Sequence, residues 1–273
     1  MIVDGIFRAA RFWRRFRNPV SVACARLLRS QGTVLLWDRA TNVKCRARVG
    51  AHSIFTEVFH NHDYDVPGVS LGRGHVVLDI GGHQGFFACY AAHLGARVLS
   101  FEPDEASHSL LVENVARNGL ADRVTAHIAA VAGKNGQATL LLTDAMGGGM
   151  NSTCPSYPAF VGNKVRESRI VPSVSLNHVV DEANSGSIRM CKIDVEGAEL
   201  EILSALSQDR ARRVECFVLE YHEPLAPLGD LARVILGWGT HQLCLAEDTE
   251  TGPRRILRAV ATRSWLGESS ALP

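Results

Sequence analysis

The amino-acid sequence predicts an α/β protein built around a mostly parallel β-sheet. From residue 76 onwards, short apolar runs alternate with stretches of helical periodicity, and this alternation is typical of βαβ units. The first apolar run, 76–80, leads into a glycine-rich turn and a helical pattern over 85–94. A second apolar run over 97–101 ends in Glu102-Pro103. Two parallel strands joined by a tight turn and a helix are therefore expected at the start of the sheet.

The first 70 residues carry a different pattern. We expect 1–70 to form an N-terminal arm and cap, and 71–273 to form the main domain. Residues 1–30 look helical, with an interruption at Asn18-Pro19, and residues 33–60 look β-rich. The predicted strands of this arm are 34–37, 44–49 and 54–59.

The rest of the main domain continues the alternation, with one insertion over 133–186. The insertion has a predicted hairpin at 138–142, a glycine-rich loop at 146–153 that is expected near the site, and a strand at 170–174. Outside it we predict strands 124–130, 188–193 and 214–219, helices 104–118, 196–206 and 225–237, and an antiparallel hairpin of 242–246 with 255–260. Together with the first two strands, these elements predict a seven-stranded, mostly parallel sheet with an antiparallel C-terminal strand.

The bulk composition excludes several function classes. Hydrophobic residues make up 46% and charged residues 21% of the 273 residues, which is ordinary for a soluble globular protein. The formal net charge of +1 gives no electrostatic reason to expect a nucleic-acid partner. Because no apolar run approaches the roughly 18 residues of a membrane-spanning helix, integral membrane insertion is not expected.

Two further features bear on location and partners. Seven cysteines without a C-x-x-C pair indicate free thiols and a reducing, cytoplasmic compartment. The basic amphipathic stretch 1–17 has two interpretations. It can form a membrane-surface or partner helix, or it can cap the domain or pack on a second copy of the chain. We favour the second interpretation, which allows a homo-oligomer formed through the arm.

The turn after the first strand suits S-adenosylmethionine better than a dinucleotide. The dinucleotide fingerprint G-x-G-x-x-G fails whether it starts at Gly81 or at Gly82. The acid-x-Gly-x-x-x-Gly spacing of Asp79, Gly81 and Gly85 is instead that of S-adenosylmethionine enzymes. In such a site Asp79 would hold the amine of the cofactor's methionine part, directly or through water. The backbone amides of the turn would hold the carboxylate of the methionine part, and Glu102 would bind the ribose hydroxyls. The alternative is an ordinary strand–turn–helix whose glycines serve only to permit positive φ.

Polar side chains are predicted to converge at one edge of the sheet. Ligands of open α/β sheets bind at the carboxyl ends of the strands. The polar residues at or just past the predicted strand ends are Asp79, Glu102, Asp194, Glu196, Glu220 and His222. Taken singly, each of them would also fit as a helix cap or a solvated strand end.

Several motifs of the main domain can be compared with known families. They are 77–85, Phe101-Glu102-Pro103-Asp104 with Asn114, Asn151-Ser152, Ser175-Leu176, and 192–199 with Glu201-Ile202-Leu203. Over about residues 55–222, the sequence with these motifs resembles the FkbM family of S-adenosylmethionine-dependent methyltransferases. The resemblance implies a Rossmann-like class I methyltransferase fold. It also implies methyl transfer to oxygen, commonly to a hydroxyl of a sugar, polyketide or other natural product.

This resemblance, together with the turn spacing, gives a predicted cofactor site for S-adenosylmethionine. Its members are Asp79, Gly81, Gly82, His83, Gly85, Glu102, Ser152, Asp194 and Glu196. His83 is a departure, because the family usually has Ala-Asn where this chain has Gly82-His83. It either contacts the cofactor carboxylate or only fills the turn.

Methyl transfer to an alcohol requires alignment of the reacting atoms and removal of a proton. His222 is the first candidate for the general base, because a histidine normally titrates near neutral pH. Asp194 is the second candidate, and Glu220 completes the predicted catalytic group. Asp194 and Glu220 also offer oxygen ligands for a divalent cation. Because no third ligand is evident, no metal site is predicted.

The predicted function is O-methylation of a small hydroxylated molecule, such as a natural-product, sugar or nucleoside-type intermediate. Three alternatives stay open: methylation of nitrogen or carbon, methylation of a glycan or protein, and a cofactor-binding module without catalysis. A nicotinamide oxidoreductase is disfavoured because the dinucleotide fingerprint is broken.

Overall fold

The computed structural model describes residues 14–27, 32–145, 149–223, 225–245 and 256–262. Most of the basic N-terminal stretch, 1–13, lies outside the described residues, and so do positions 146–148 of the glycine-rich loop. The expectations for those positions stay predictions.

The described part of the arm combines short helices with one β-hairpin. Its elements are α1 (Pro19–Leu27), β1 (Thr33–Trp37), β2 (Lys44–Arg48), α2 (His52–Thr56) and a π-helical turn (Glu57–Asn61). The strands β1 and β2 pair in antiparallel fashion, with Trp37 opposite Lys44. The predicted strands 34–37 and 44–49 are therefore confirmed.

The predicted strand 54–59 is wrong, because this segment is helical. Its large apolar residues recur with a helical spacing: Ile54 and Phe55 are followed four residues later by Val58 and Phe59. The rings of Phe55 and Phe59 stack with centroids 4.3 Å apart, and Phe55 also meets Phe86 edge-on at 5.5 Å. A helix places these side chains on one face against the domain, which a strand would split between two faces.

The main domain follows the arm as an alternation of strands and helices. In chain order its elements are β3 (Val76–Ile80), α3 (Phe86–His93), β4 (Arg97–Phe101), α4 (Glu105–Arg117), β5 (Val124–His127), β6 (Ala130–Ala132), β7 (Gly136–Thr143), α5 (Tyr157–Phe160), β8 (Val165–Ser175), α6 (Leu176–Glu182), β9 (Met190–Ile193), α7 (Glu199–Ser204), α8 (Gln208–Ala211), β10 (Cys216–Glu220), α9 (Leu228–Gly237), β11 (His241–Leu245) and β12 (Ile256–Ala261).

The central sheet has seven strands in the order β11-β12-β10-β9-β3-β4-β5. The strand β12 is antiparallel to both of its neighbours, and the remaining pairs are parallel. This arrangement confirms the predicted Rossmann-like α/β fold with an antiparallel C-terminal strand. The insertion forms a separate sheet in the order β6-β8-β7.

The predicted strand 124–130 is wrong in its extent. The chain leaves the central sheet after His127, whose ring stacks on Phe101 at 4.4 Å. Ile128 is 46% exposed, and from Ala130 onwards the backbone pairs with β8 of the insertion. One continuous run of sequence therefore contributes a strand to each of two sheets. The exposed Ile128 lies where the chain passes from the first sheet to the second.

The strand β3 separates two hydrophobic clusters. Val77 belongs to the cluster that includes Phe16, Phe55 and Phe86, whereas Leu78 belongs to the cluster on the opposite face. Side chains of a strand alternate between faces, so Asp79 points to the same face as Val77. The arm packs on that face and shares its core.

Asn114 of α4 and Asn118, the residue that follows this helix, hold the arm against the main domain. The Asn114 side chain accepts from the Arg46 N–H at 2.6 Å and donates to the carbonyls of Arg46 at 2.9 Å and Gln84 at 2.8 Å. Asn118 bonds the N–H and carbonyl of Lys44 in the same way, at 2.9 and 2.8 Å. The edge of β2 is therefore fixed against α4 by a ladder of side-chain hydrogen bonds.

Two expectations about the whole chain are tested within the described residues. None of the helices in these ranges is long and apolar enough to cross a membrane. All seven cysteines are free thiols.

We expect Gly81→Ala to destabilise the protein more than Gly74→Ala. Both glycines have positive φ, +81° and +87°, so each substitution carries the cost of a left-handed residue, about 1–2 kcal/mol. A Cβ at Gly81 would lie 1.8 Å from the Asp194 carbonyl oxygen, whereas nothing lies within 4 Å of one at Gly74. Urea denaturation should show an additional loss of at least about 2 kcal/mol for Gly81→Ala. Equal losses in the two variants would show that the close approach does not constrain the fold.

Candidate active site

A cavity of about 260 Å³ opens at the carboxyl ends of the parallel strands. Most of the predicted site residues line it, namely Gly81, Gly82, His83, Glu102, Asp194, Glu196, Glu220 and His222. The others lie behind the wall: Asp79 is fully buried, Gly85 precedes α3, and Ser152 is 1% exposed between the lining residues Asn151 and Thr153. The topology therefore brings the predicted residues together.

Close packing requires the glycines of the turn after β3. The Cβ of a larger residue at Gly82 would lie 2.2 Å from the Ser100 hydroxyl, and one at Gly85 would lie 2.9 Å from the Leu111 side chain. Gly85 also has a φ of +80°, which favours glycine. The turn thus packs tightly against β4 and α4, and its backbone faces the cavity.

Asp79 lies beneath the turn and contacts its neighbours in the sheet. Register places Asp79 opposite Ser100 on β4 and Lys192 on β9. The Ser100 hydroxyl donates to Asp79 at 2.7 Å, and the Lys192 ammonium lies 3.5 Å from the other carboxylate oxygen. Asp79 therefore orients Lys192 from behind the wall. The predicted contact of Asp79 with a cofactor amine, directly or through water, stays a prediction.

Lys192 is a buried cation that sequence reasoning did not select. Its ammonium donates to the Gly81 carbonyl at 2.7 Å and lies 3.5 Å from Asp194. Burial opposes the charge, but the carboxylates of Asp194, Asp79 and Glu220 raise the pKa of Lys192 above its ordinary value. A lysine inside the apolar run of β9 is the signal that sequence analysis could have used, because lysine is rarely buried without a partner.

Tyr64 joins the arm to the strand tips. Its hydroxyl donates to Asp194 at 3.1 Å and to Glu220 at 3.4 Å. Burial disfavours the charged form of Asp194, yet Lys192, His222 and the Tyr64 hydroxyl lower the pKa of Asp194 below its ordinary value. Asp194 is thus held as a carboxylate in the cavity wall.

His222 is held between two carboxylates. Its Nε2 lies 3.1 Å from Glu196 and its Nδ1 lies 2.9 Å from Glu199, which is fully buried. Burial opposes a charge on the ring, but hydrogen bonds to Glu196 and Glu199 raise the pKa of His222 to about 11. Both ring nitrogens are therefore engaged, and these contacts argue against the predicted role of His222 as general base. Glu199, the first residue of α7, was not selected from the sequence as a site residue.

Glu196 is fixed by its backbone and by the insertion. It adopts a left-handed φ of +59°, which is uncommon for a residue with a side chain. The Ser152 hydroxyl donates to its carbonyl at 2.6 Å. Burial raises the pKa of the Glu196 carboxyl to about 6. Ser152 thus supports the cavity wall from behind, and Glu196 presents its carboxyl to the cavity.

Glu102 occupies the tip of β4, where the sequence predicts a ribose-binding acid. Its two carboxylate oxygens accept from the backbone N–H groups of His83 at 2.7 Å and Asp104 at 2.8 Å. Burial raises the pKa of Glu102 to about 7. Because a carboxylate oxygen has two lone pairs, each oxygen still has an acceptor site beyond these amides.

Comparisons with known proteins identify sequences that are similar to this chain. The family model of the methyltransferase FkbM domain matches residues 79–239. The chain is 26% identical over 215 residues to the 31-O-demethyl-FK506 methyltransferase FkbM of Streptomyces tacrolimicus, covering 69% of this chain and 81% of that protein. It is also 26% identical over 204 residues to methyltransferase sdnD of Sordaria araneosa, covering 65% and 77%.

A solved structure shares the fold. The crystal structure of methyltransferase FkbM from Methylobacillus flagellatus KT superposes with a TM-score of 0.52 at 15% identity, over 76% of this chain. The present chain spans 47% of the length of that one. Because the family model covers more than half of the sequence and includes the strand tips described above, the chain belongs to the FkbM methyltransferase family.

Proposed function

We propose that this protein is an S-adenosylmethionine-dependent O-methyltransferase that acts on a hydroxyl of a small, natural-product-type molecule. The observation that carries the proposal is the position of Glu102, a buried acid at the tip of β4 beside the turn that follows β3. An acid there can accept hydrogen bonds from the two hydroxyls of a ribose. The Streptomyces relative is a 31-O-demethyl-FK506 methyltransferase by name, which supports the hydroxyl acceptor.

Several residues would hold the cofactor. The glycines Gly81 and Gly82 let the backbone of the turn approach a ligand closely, and Glu102 would accept from the ribose. The carboxylates of Asp194 and Glu220 favour a positive charge nearby, as on a sulfonium. When bound, S-adenosylmethionine supplies a methyl group that is already activated. The protein must therefore align the acceptor oxygen, exclude water and accept one proton.

We assign the proton-accepting role to Glu220 rather than to His222. Both nitrogens of His222 are engaged with carboxylates. Asp194 faces the Lys192 ammonium, and its lowered pKa makes it a weak base. Glu220 ends the adjacent strand β10, lines the same cavity and accepts from the Tyr64 hydroxyl. Tyr64 would thus orient the base.

The proposed activity is tested by ligand binding and by transfer of a labelled methyl group. S-adenosylhomocysteine should raise the melting temperature of the protein, whereas NAD should not. A panel of hydroxylated metabolites, each paired with its amino analogue, then reports the acceptor class. Stabilisation by NAD alone would overturn the cofactor assignment. Transfer to amines and not to hydroxyls would overturn O-methylation.

We expect the affinity for S-adenosylhomocysteine to rise by up to about tenfold between pH 6 and pH 8. Glu102 has a pKa of about 7, so it loses its proton across this interval, and the carboxylate is the form that accepts from two ribose hydroxyls. Isothermal titration at several pH values measures the effect. In Glu102→Gln the pH dependence should disappear and the affinity should stay low. An equal slope in both proteins would remove Glu102 from the site.

We expect Glu220→Gln to lower kcat by about 10²–10⁴-fold with little change in cofactor affinity, because it removes the proton acceptor. Glu105→Gln is the control, since Glu105 is an exposed acid in the first turn of α4. Retention of kcat within about threefold in Glu220→Gln would move the role of base away from this residue.

A further inference from the structure

We propose that Asp194, Glu196 and His222 form a binding site for one divalent metal ion. One ligand atom from each of these side chains lies within 4.8 Å of the other two. An ion bonds to such atoms at about 2.0–2.3 Å, so donors on opposite sides of it are somewhat more than 4 Å apart. Small side-chain rotations would bring all three atoms onto one ion. Two carboxylates with one imidazole suit cations such as Mn²⁺, Fe²⁺ or Zn²⁺.

The charge of the cavity wall favours a cation. Among the described residues that line the cavity, the acids are Glu57, Glu102, Asp194, Glu196 and Glu220, and Lys192 is the only lysine or arginine. Gathering carboxylates in a partly buried site costs free energy unless cations compensate them. Lys192 is already engaged with Asp79 and Asp194. A divalent ion between Asp194 and Glu196 would add two positive charges to this acid-rich wall.

The residue behind His222 gives a second, separate indication. Glu199 is fully buried outside the cavity lining and accepts from Nδ1 of His222 at 2.9 Å. The Gly197 N–H donates to the same oxygen at 3.0 Å and helps to fix it. This contact directs Nε2 toward Glu196 and the cavity. A carboxylate that holds one nitrogen of a histidine while the other nitrogen binds a metal is the usual arrangement around metal-ligating histidines.

The ion would act on the acceptor, a role that rests on the proposed function, whereas binding of the ion does not. A hydroxyl bound to a divalent cation releases its proton more readily. In the transfer step the acceptor oxygen forms a bond to the methyl carbon, and the sulfur–carbon bond breaks with its electron pair remaining on sulfur. The hydroxyl proton passes to Glu220. The three ligands and the proton acceptor all lie at the ends of β9 and β10.

The site is tested by titrating Mn²⁺ into the metal-free full chain and following the ion by electron paramagnetic resonance. We expect one tight site per chain. Glu196→Gln should weaken Mn²⁺ binding at least tenfold, and the positioning variant Glu199→Gln about 10–100-fold. Glu167→Gln, which removes an exposed acid on β8, should leave the affinity unchanged. Equal Mn²⁺ affinity in wild type and Glu196→Gln would overturn the proposal.

A second measurement needs no substitution. Spin-echo modulation of Mn²⁺ bound to the wild-type chain should show coupling to one imidazole nitrogen, that of His222, and the absence of this coupling would also overturn the site.

The results for Mn²⁺ and for S-adenosylhomocysteine together separate the metal site from the proposed function. Stabilisation by S-adenosylhomocysteine without tight Mn²⁺ binding rejects the metal site alone. Tight Mn²⁺ binding without S-adenosylhomocysteine binding or methyl transfer rejects the proposed function and leaves the metal site standing.

Discussion

The buried ammonium of Lys192 is the interaction on which the geometry of the cavity depends. It joins the Gly81 carbonyl to the carboxylates of Asp79 and Asp194, and it lies 5.4 Å from the centre of the Tyr64 ring. One charge therefore links β3, β9 and the arm. Without it, the buried Asp79 carboxylate would lose the ammonium that compensates its charge, and removal of one partner of a buried ion pair is strongly destabilising.

Local patterns were sufficient to predict most of the central sheet. Each strand of the sheet is a short apolar run, and the βαβ rule then puts the strand ends at one edge, which is why Glu102 and Asp194 were found from the sequence. The wrong predictions concern two segments whose residue pattern is compatible with more than one structure. Residues 54–59 are apolar enough for a strand, but their i, i+4 spacing also fits a helix, in which Phe55 contacts Phe59 and Phe86. Residues 124–130 contain no turn signal, although the chain changes sheets there.

The environment of each site residue could not be predicted in the same way. Tyr64 and Asp194 are separated by 130 positions in the chain and meet at 3.1 Å. The role of His222 depends on such neighbours. A histidine past a strand tip suggests a base when it is considered alone, but between Glu196 and Glu199 both of its ring nitrogens have a carboxylate neighbour that fixes the ring. The residue type identified the site, and the tertiary contacts determine its chemistry.

The strand tips form one part of the cavity wall, and the arm and the insertion form another. This difference explains why family membership says more about the reaction than about the acceptor. The family match begins at Asp79, so it contains the strand tips but not the arm. The arm contributes Ile54, Glu57 and Tyr64 to the cavity, and the insertion contributes Tyr157. Strand tips are constrained by the sheet, whereas surface segments vary without disturbing the fold. Relatives that share the tips can therefore share methyl transfer while their arms and insertions fit different molecules.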